Sequence, residues 1–524
     1  MTREMHPQRW GDPAHAAPLP ASTRGMVELA FPGVTDTPAV DTVRLPSAAL
    51  DVVLVEELRM VVGSEHVLAG DEDRRLRTRG KSTPDLLRAR SGDLADAPDV
   101  VVRPGSHADV VAVLAWAVER HVAVVPFGGG TSVTGGLVAA REGYTGVVSL
   151  DLGRLDALVA VDHESMTATL QPGLRGPEAE ALLAAEGLML GHLPQSFEFA
   201  SIGGFAATRS SGQASAGYGR FDDMVVGLRM ATPAGDLVAG SSPANAAGPD
   251  LRRVALGSEG TLGVITEVTV RVRELPTDRR YEAWTFPDFA TGAAAMRRLA
   301  QQDLLPQVIR LSDEAETAIN LASQTEVGGD AVTGCLMVVG HEGTDAARLD
   351  HQREVVAREL TAAGGTSVGR ERGEVWARGR FAAPYLRDSM LDAGVLVETL
   401  ETATFWSRRE QVYADVRRAL EESLGEHTLV LCHISHVYAT GCSLYFTVSA
   451  PQGEDPLGRW LAAKAAASDA MVAAGATITH HHAVGTDHKR WLEREIGPVG
   501  VAMLRGLKAA VDPTGVLNPG VLVP

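Results

Sequence analysis

The sequence predicts an α+β protein of at least two domains, with a cofactor-binding domain in its first half. At 524 residues the chain is longer than one hydrophobic core usually supports. Short β-branched runs alternate with helical segments rich in Ala and Leu, and many of the 55 glycines gather in clusters after such runs. Glycine clusters at strand ends are typical of loops that bind a ligand through the backbone.

Composition and charge exclude several classes of protein. Hydrophobic residues make up 45% of the chain and charged residues 22%, which is the balance of a globular protein. A formal net charge of −18 disfavours nucleic acid as a partner. The three cysteines, Cys335, Cys432 and Cys442, show neither metal-binding nor disulfide spacing. Because no apolar run approaches about 18 residues and the first residues lack the apolar core of a signal peptide, we expect a soluble, cytoplasmic protein.

The elements expected before the first glycine cluster form a strand–helix–strand unit. Residues 99–102 predict a buried strand, Ser106 begins a helix that ends near His121, and residues 122–126 predict a second strand. This strand runs directly into the glycine loop at 127–132, which places the loop at the rim of an α/β sheet. Further elements are predicted as strands at 146–150 and 166–170 and as a helix at 178–187.

Three glycine-rich segments carry the strongest functional signal: residues 126–132, 201–204 and 257–266. Glycine admits positive φ and leaves no Cβ between the backbone and a ligand, so consecutive N–H groups can surround a diphosphate. Tight turns are the alternative interpretation, but three dense clusters favour binding. The dinucleotide fingerprint GxGxxG fails because Val133 replaces its last glycine, and a phosphate-loop match fails at Arg75.

The segments PFGGGTS, QSFEFASIGG, TRSSG and GSEGTLGVIT together resemble the FAD-binding domain of the vanillyl-alcohol oxidase/p-cresol methylhydroxylase (PCMH) superfamily. The resemblance implies a PCMH-type, two-subdomain FAD-binding domain and a cap domain whose antiparallel sheet is flanked by helices. Several members attach the flavin to a histidine where this chain has Thr131, so non-covalent FAD is expected. The residues implied to bind FAD are Pro126, Phe127, Gly128, Gly129, Gly130, Thr131, Ser132, Gln195, Ser196, Phe197, Glu198, Phe199, Ala200, Ser201, Thr208, Arg209, Ser210, Ser211, Glu259, Gly260, Thr261, Leu262, Gly263, Val264 and Ile265.

Four regions are expected along the chain. Residues 1–94 form an amino-terminal arm and a helical segment; the arm, up to about residue 50, is rich in Pro and Ala and is predicted to be irregular. Residues 95–276 form the FAD-binding domain, and residues 277–470 form the cap or substrate domain. Residues 471–524 form a carboxy-terminal segment that carries a histidine triplet and packs back on the FAD-binding domain.

The histidine triplet is the most unusual segment outside the glycine loops. It consists of His480, His481 and His482, with His488 close behind. Three consecutive side chains cannot share one face of a helix or strand, so one or two are expected to point into a site while the others pack. Histidine transfers protons near neutral pH and also binds metals, and an exposed polar loop is the plain alternative. Close to a flavin we favour proton transfer, and we predict no metal site.

Further segments resemble one branch of the superfamily, the alkyldihydroxyacetonephosphate synthases. They are RWG from residue 9, VIRLSD from 308, PYLRD from 384, ETLETA from 398, SHVYATGCSLYF from 435 and HHHAVG from 480. The roles implied are catalytic acid/base for Tyr438, substrate binding for Arg387, a requirement for activity for Arg310, and catalysis for His480, His481 and His482. Taken singly, either arginine could form a surface ion pair and Tyr438 could be a half-buried strand residue; their joint order favours a site. Ala483 and residues 485–488 depart from the branch, which leaves the substrate open.

The resemblance implies a reaction in which a fatty alcohol replaces the acyl chain of acyl-dihydroxyacetone phosphate, through a flavin adduct, in ether-lipid synthesis. A lipid substrate implies an apolar tunnel, and peripheral membrane contact and a homodimer are further expectations. The alternative is an FAD-dependent dehydrogenase or oxidase of D-2-hydroxy acids, such as a glycolate oxidase or D-lactate dehydrogenase. Such enzymes carry a histidine pair in the segment where this chain keeps His436 but has Tyr438. A flavin-binding scaffold without activity is a third interpretation, which leaves the His, Tyr and Arg set unused.

Overall fold

The computed structural model describes residues 4–15, 19, 21–40, 43–138, 140–240, 242–319 and 333–524. Within this part of the chain, helices cover the faces of three larger β-sheets. The α-helices are α1 (Ala21–Ala30), α2 (Val52–Val62), α3 (Asp71–Leu76), α4 (Thr83–Ser91), α5 (His107–Arg120), α6 (Gly176–Ala185), α7 (Ile202–Thr208), α8 (Ser215–Tyr218), α9 (Phe221–Met224), α10 (Leu251–Ala255), α11 (Phe289–Gln301), α12 (Glu314–Ala318), α13 (Ala346–Ala362), α14 (Glu371–Gly379), α15 (Ala383–Asp392), α16 (Arg409–Leu424), α17 (Pro456–Ala473) and α18 (Lys489–Val511).

The first sheet contains the strand–helix–strand unit that the sequence predicts. Its strands are β1 (Val67–Leu68), β2 (Val100–Val102), β3 (Ala123–Phe127) and β4 (Val147–Asp151), in the order β1-β2-β4-β3. Strands β2, β4 and β3 run parallel, and every residue of β2 and β4 is buried. Helix α5 joins β2 to β3: the side chain of Ser106 accepts a hydrogen bond from the backbone N–H of Asp109, and His121 ends the helix in the left-handed conformation. The predicted unit is confirmed.

The second sheet is antiparallel and carries the other two glycine segments at its margin. It contains β5 (Leu158–Asp162), β6 (Thr167–Leu170), β8 (Val225–Thr232), β9 (Gly235–Ala239) and β10 (Val264–Arg271), in the order β5-β6-β10-β8-β9, beside a ribbon of β7 (Leu188–Met189) and β11 (Arg273–Glu274). Ser201 caps α7 by accepting from the N–H of Gly204, so the second glycine segment is the first turn of a helix. The third segment leads directly into β10.

The third sheet is antiparallel and forms the larger part of the second half of the chain. It contains β12 (Asp278–Phe286), β13 (Val308–Ser312), β14 (Cys335–Gly343), β15 (Thr366–Gly369), β16 (Val395–Phe405), β17 (Leu429–Ile434) and β18 (Gly441–Pro451), in the order β15-β12-β14-β13-β17-β18-β16. Met296 of α11, Val412 of α16 and Trp460 of α17 pack on one face in a common core. The helices therefore cover that face and leave the other for the glycine loops.

Two features differ from the sequence prediction. The amino-terminal arm is not irregular throughout, because α1 lies in it and packs Val27 and Phe31 against Val395 and Val397 of β16. Tyr438 lies in the turn between β17 and β18, and its N–H bonds to the carbonyl of Gly441 at 2.9 Å. Separately, α18 is interrupted at Gly497 (φ +72°), directly before Pro498.

Both ends of the described chain contact the centre of the molecule. In the arm, Arg9 pairs with Asp392 of α15 at 2.6 Å, and the N–H of Trp10 donates to Asp388. Near the carboxy terminus, Asn518 Nδ2 donates to the carbonyl of Glu259 at 2.7 Å. None of the described helices combines the length and hydropathy that crossing a membrane would require.

Candidate active site

A cavity of about 460 Å³ lies between the glycine loops and the open face of the third sheet. One wall consists of the first glycine loop, the start of α7 and the residues before β10. Tyr445, Thr447 and Ser449 of β18 line the opposite wall, while their strand neighbours Leu444 and Phe446 enter the helix-covered core. This division follows from the period of two along a strand.

Most of the residues predicted to bind FAD lie on the cavity wall. These are Pro126, Phe127, Gly128, Gly129, Gly130, Thr131, Ser132, Gln195, Ser196, Ala200, Ser201, Thr208, Ser210, Ser211, Glu259, Gly260, Gly263, Val264 and Ile265. Arg310, Arg387, His481 and His482 line the same cavity. The structure therefore brings together residues that are up to about 350 positions apart in the sequence.

Other predicted residues lie behind the wall, where they support it. Phe199 packs edge-on against Trp10 with 5.8 Å between ring centroids, and Phe197 stacks on Phe381 at 5.4 Å. Glu198 accepts from the hydroxyl of Tyr385 at 3.3 Å. The remaining residues outside the wall are Arg209, Thr261, Leu262, Tyr438 and His480.

The first glycine loop is packed too tightly for side chains. A Cβ on Gly129 would lie 2.2 Å from the carbonyl oxygen of Phe199, and Gly130 has a φ of +69°. The hydroxyl of Ser211, also on the cavity wall, is buried and has no hydrogen-bond partner among the described residues. A loop of bare backbone beside an unsatisfied hydroxyl fits a ligand that carries a diphosphate.

Tyr438, His480 and His481 form a continuous hydrogen-bonded chain that ends on the cavity wall. The Tyr438 hydroxyl is 2.6 Å from Nε2 of His480, and Nδ1 of His480 is 3.0 Å from Nδ1 of His481. Burial raises the pKa of Tyr438 to about 12, although nearby Arg220 opposes this rise. Burial, reinforced by the neighbouring imidazole of His481, lowers the pKa of His480 well below its usual value. At neutral pH the tyrosine is therefore protonated and His480 is neutral.

Glu401 on β16 holds the histidine triplet in place. Its carboxylate accepts hydrogen bonds from the backbone N–H groups of His480, His481 and His482 at 2.8–3.1 Å and from the hydroxyl of Thr479 at 2.6 Å. Burial opposes ionisation of Glu401, but the imidazoles around it, His481 first, lower its pKa well below the usual value. The loop therefore turns around one buried negative charge.

The histidine loop is also attached to the glycine loops. The carboxylate of Glu259 accepts from the N–H groups of Val484 at 2.9 Å and Gly485 at 2.8 Å. Thr134, just after the first glycine loop, donates its hydroxyl hydrogen to the carbonyl of His482 at 3.0 Å. Burial raises the pKa of Glu259 to about 7, against the effect of these N–H donors. The cofactor side and the proton-transfer side of the cavity thus share hydrogen bonds.

The two predicted arginines lie in different surroundings. Arg310 on β13 pairs with the buried carboxylate of Glu316, whose other oxygen is 3.4 Å from Nδ1 of His433. Burial favours protonation of Glu316, but Arg310 and His433 lower its pKa to about 2. Arg387 on α15 contacts the carboxylate of Asp388, its neighbour in sequence, at 3.0 Å. Neither arginine forms an ordinary surface ion pair, because side-chain exposure is 13% for Arg310 and 12% for Arg387.

Three imidazoles approach the spacing of a metal site. Nitrogen atoms of His436, His480 and His481 lie within 4.8 Å of one another. Both ring nitrogens of His480 already take part in hydrogen bonds, to Tyr438 and to His481. An ion at this point would therefore have to displace one of these two hydrogen bonds.

Comparison with known proteins agrees with this geometry. The FAD binding domain family matches residues 98–241, and the family described as FAD linked oxidases, C-terminal domain, matches residues 275–522. An alkyldihydroxyacetonephosphate synthase from Trypanosoma brucei brucei is 33% identical over 94% of this chain and 84% of its own length. The chain belongs to the alkyldihydroxyacetonephosphate synthase family. FAD is therefore its cofactor, as the glycine loops predict.

Solved structures support the same assignment. An alkyldihydroxyacetonephosphate synthase superposes on this family member with a TM-score of 0.83 and 28% identity, over 98% of both chains. A p-cresol methylhydroxylase with bound substrate superposes with a TM-score of 0.69 at 16% identity, over 89% of this chain and 96% of its own. The second likeness concerns the fold alone, and together they confirm the PCMH-type α+β fold.

Several residues of the site in this synthase-family chain escape prediction from sequence. Glu401 is the clearest case: it stands inside a recognised segment, yet no pattern distinguishes its carboxylate from that of Glu398. Lys81 also lines the cavity and lies far in sequence from His6 and Ser132, which it contacts. Glu316 lines the cavity too, six residues after its partner Arg310, but no motif singles it out. His436 carries a weak signal, since it remains from the histidine pair of the related dehydrogenases.

Proposed function

We propose that this chain is an alkyldihydroxyacetonephosphate synthase, which replaces the acyl chain of acyl-dihydroxyacetone phosphate with a fatty alcohol and so makes an ether lipid. The observation that carries the proposal is the chain from Tyr438 through His480 to His481, which ends on the wall opposite the glycine loops. Membership of the synthase family supports it. We further propose that FAD is held without a covalent bond, because Thr131 stands at the position where related enzymes carry the linking histidine.

The exchange breaks one C–O bond and forms another. The bond between the dihydroxyacetone carbon and the acyl oxygen breaks, and the fatty acid leaves as a carboxylate. The alcohol oxygen forms the ether bond and gives up its proton, so the overall reaction releases one proton and transfers no electrons. When bound, FAD supplies the electrophilic centre that makes this carbon reactive.

Side chains of this protein carry out the proton transfers. Neutral His480 can accept a proton from Tyr438 at Nε2 while its Nδ1 hydrogen moves to His481, because both hydrogen bonds are already formed. His481 lies on the cavity wall and is the member of this chain that meets substrate. His482 lines the cavity as well, and burial lowers its pKa to about 3, so it too acts as a neutral imidazole.

The cavity suits a substrate with a charged head and an apolar tail. Arg387 and Arg310 line its polar part and are able to bind oxyanions through two N–H groups. An apolar limb extends towards α1 and α15 and is lined by Met26, Phe31 and Met390. This limb is the place that we assign to the acyl or alkyl chain.

A comparison of substrates on the purified yellow protein tests the proposal. Release of fatty acid from acyl-dihydroxyacetone phosphate in the presence of hexadecanol, with no change in the flavin absorption band, supports the synthase. The matched control is Tyr438→Phe, which keeps the ring and removes the hydroxyl that reaches His480. Anaerobic bleaching of the flavin by D-lactate or D-2-hydroxyglutarate, without acyl exchange, would show a dehydrogenase instead.

A further inference from the structure

Lys81 is a buried cation in the wall of the cavity. It precedes α4, is 7% exposed, and lines the cavity together with Arg387. Its backbone N–H donates to the carbonyl of Ser132, at the end of the first glycine loop, at 2.7 Å. Its ammonium group donates to the carbonyls of His6 at 2.6 Å and Pro7 at 3.3 Å. The side chain therefore lies between the cofactor loop, the amino-terminal arm and the substrate arginine.

The charge of Lys81 is poorly balanced. In the described part of the chain no carboxylate pairs with its ammonium group within 4 Å, whereas Lys464 pairs with Asp487 and Lys508 with Asp512. Burial lowers the pKa of Lys81 to about 8; Asp388 and Asp85 act against this, and Arg387 adds to it. Two carbonyl dipoles solvate the ammonium group but do not neutralise it.

Arg387 contacts the backbone of Lys81. Its Nη1 donates to the carbonyl of Lys81 at 2.6 Å, and its Nη2 and Nε face the single carboxylate of Asp388. That carboxylate also accepts from the N–H of Trp10. Asp388 thus forms the ion pair with Arg387, while Lys81 has no ion pair of its own among the described residues.

We propose that Lys81 and Arg387 together form a binding site for a phosphate group. An oxyanion between them would supply the missing negative charge and would accept hydrogen bonds from both cations. Two molecules bring a phosphate group to this cavity: FAD, through its diphosphate, and the substrate, through its phosphate monoester. The second source rests on the proposed function.

The test compares Lys81→Met with the wild-type holoprotein on two substrates, acyl-dihydroxyacetone phosphate and the same ester without phosphate. If the substrate phosphate binds here, kcat/KM for the phosphorylated substrate falls about 10- to 100-fold, the size of one hydrogen bond to a charged group, while the other substrate is nearly unaffected. If the diphosphate of FAD binds here, both substrates lose activity equally and titration of the apoprotein with FAD shows a dissociation constant about 10- to 100-fold higher. Lys81→Arg keeps the charge and should restore either loss.

The control is Lys508→Met. Lys508 also donates to two backbone carbonyls, those of Thr261 and Leu517, but it has its own partner in Asp512 and lies outside the cavity wall. The Lys508→Met variant loses the same kind of hydrogen bonds to backbone carbonyls but no contact to phosphate. Its preference for the phosphorylated substrate and its affinity for FAD should therefore remain.

A third measurement separates this proposal from the proposed function. If the site takes the phosphate of the substrate, it is empty in the holoprotein, so added inorganic phosphate should perturb the flavin absorption spectrum, and Lys81→Met should abolish that response even if neither ester is a substrate. If the diphosphate of FAD fills the site, the holoprotein gives no response and the FAD titration carries the test. If Lys81→Met keeps wild-type preference between the esters, wild-type affinity for FAD and an unchanged phosphate response, Lys81 only tethers the amino-terminal arm and the proposal is overturned.

Discussion

Replacement of Glu401 with glutamine tests whether one buried charge organises the histidine triplet. The substitution keeps the size of the side chain and one oxygen, which can still face the N–H groups of His481 and His482. It places an NH2 group where Oε2 now accepts from the N–H of His480 at 2.8 Å and lies 3.4 Å from Nδ1 of His481. One charge-assisted hydrogen bond is lost and the others weaken to neutral ones.

The expected cost is about 3 kcal/mol, which is the lower end for breaking a buried charged pair. If the loss is local, the free energy that holds the loop falls by that amount, and amide hydrogens in residues 480–485 exchange roughly 100-fold faster. The loss of the carboxylate also lowers the pKa of His480 and His482 further, since its charge raises both values. The acid limb of the activity profile should therefore move to lower pH.

Hydrogen exchange followed by mass spectrometry on peptides that cover the loop is the direct assay. Glu342→Gln is the control, because Glu342 is also buried but accepts from the hydroxyls of Tyr218 and Tyr281, away from the histidines. That variant should loosen β14 and leave the loop unchanged. Wild-type exchange rates in the loop of Glu401→Gln, or the same acceleration in both variants, would refute the reasoning.

The other predictions concern the cofactor, the proton chain and pH. Tyr438→Phe should keep bound flavin but lose at least 100-fold in kcat, within the usual range for general acid–base groups, and wild-type turnover would remove the tyrosine from the mechanism. Gly129→Ala should abolish flavin binding because its Cβ meets backbone, whereas Gly506→Ala, whose Cβ meets nothing within 4 Å, should bind flavin normally, as absorbance of the purified variants will show. Acid denaturation followed by filtration should release all the flavin, since Thr131 offers no covalent link; yellow precipitate would contradict this. Burial lowers the pKa of His482 to about 3 in the folded state, so below about pH 6.5 the unfolded state binds a proton that the folded state does not. As the pH falls from about 6.5 towards this folded pKa, each such imidazole lowers the free energy of unfolding by about 1.4 kcal/mol per pH unit. Urea titrations at several pH values measure this loss.

Local patterns in the sequence predict much of the fold and the cofactor side of the site. Ser106 and His121 cap α5 as their residue types suggest, and the first glycine loop follows a buried strand. These features depend on neighbours within a few positions, so the sequence displays them directly. The prediction of an irregular arm is wrong at α1 for the opposite reason. That helix is stabilised by contacts of Val27 and Phe31 with β16, which lies far along the chain.

The residues that hold the site together are the ones that the sequence conceals. Glu401 meets the backbone of the triplet across 79 to 81 residues, and Arg387 reaches the carbonyl of Lys81 across 306. Because the carboxylate of Glu401 accepts hydrogen bonds from backbone N–H groups, no particular partner side chain in the sequence points to it. Only the folded arrangement shows which glutamate faces the loop.

The hydrogen bonds from Val484 and Gly485 to Glu259 couple the binding of the cofactor to the order of the histidine loop. Whatever fixes the segment around Glu259 also orders the loop that carries the imidazoles, and by thermodynamic reciprocity an ordered loop tightens the grip on the nucleotide. Binding of FAD beside Glu259 should therefore also stabilise the histidine loop, and loss of the loop contacts should weaken FAD binding by the same free energy.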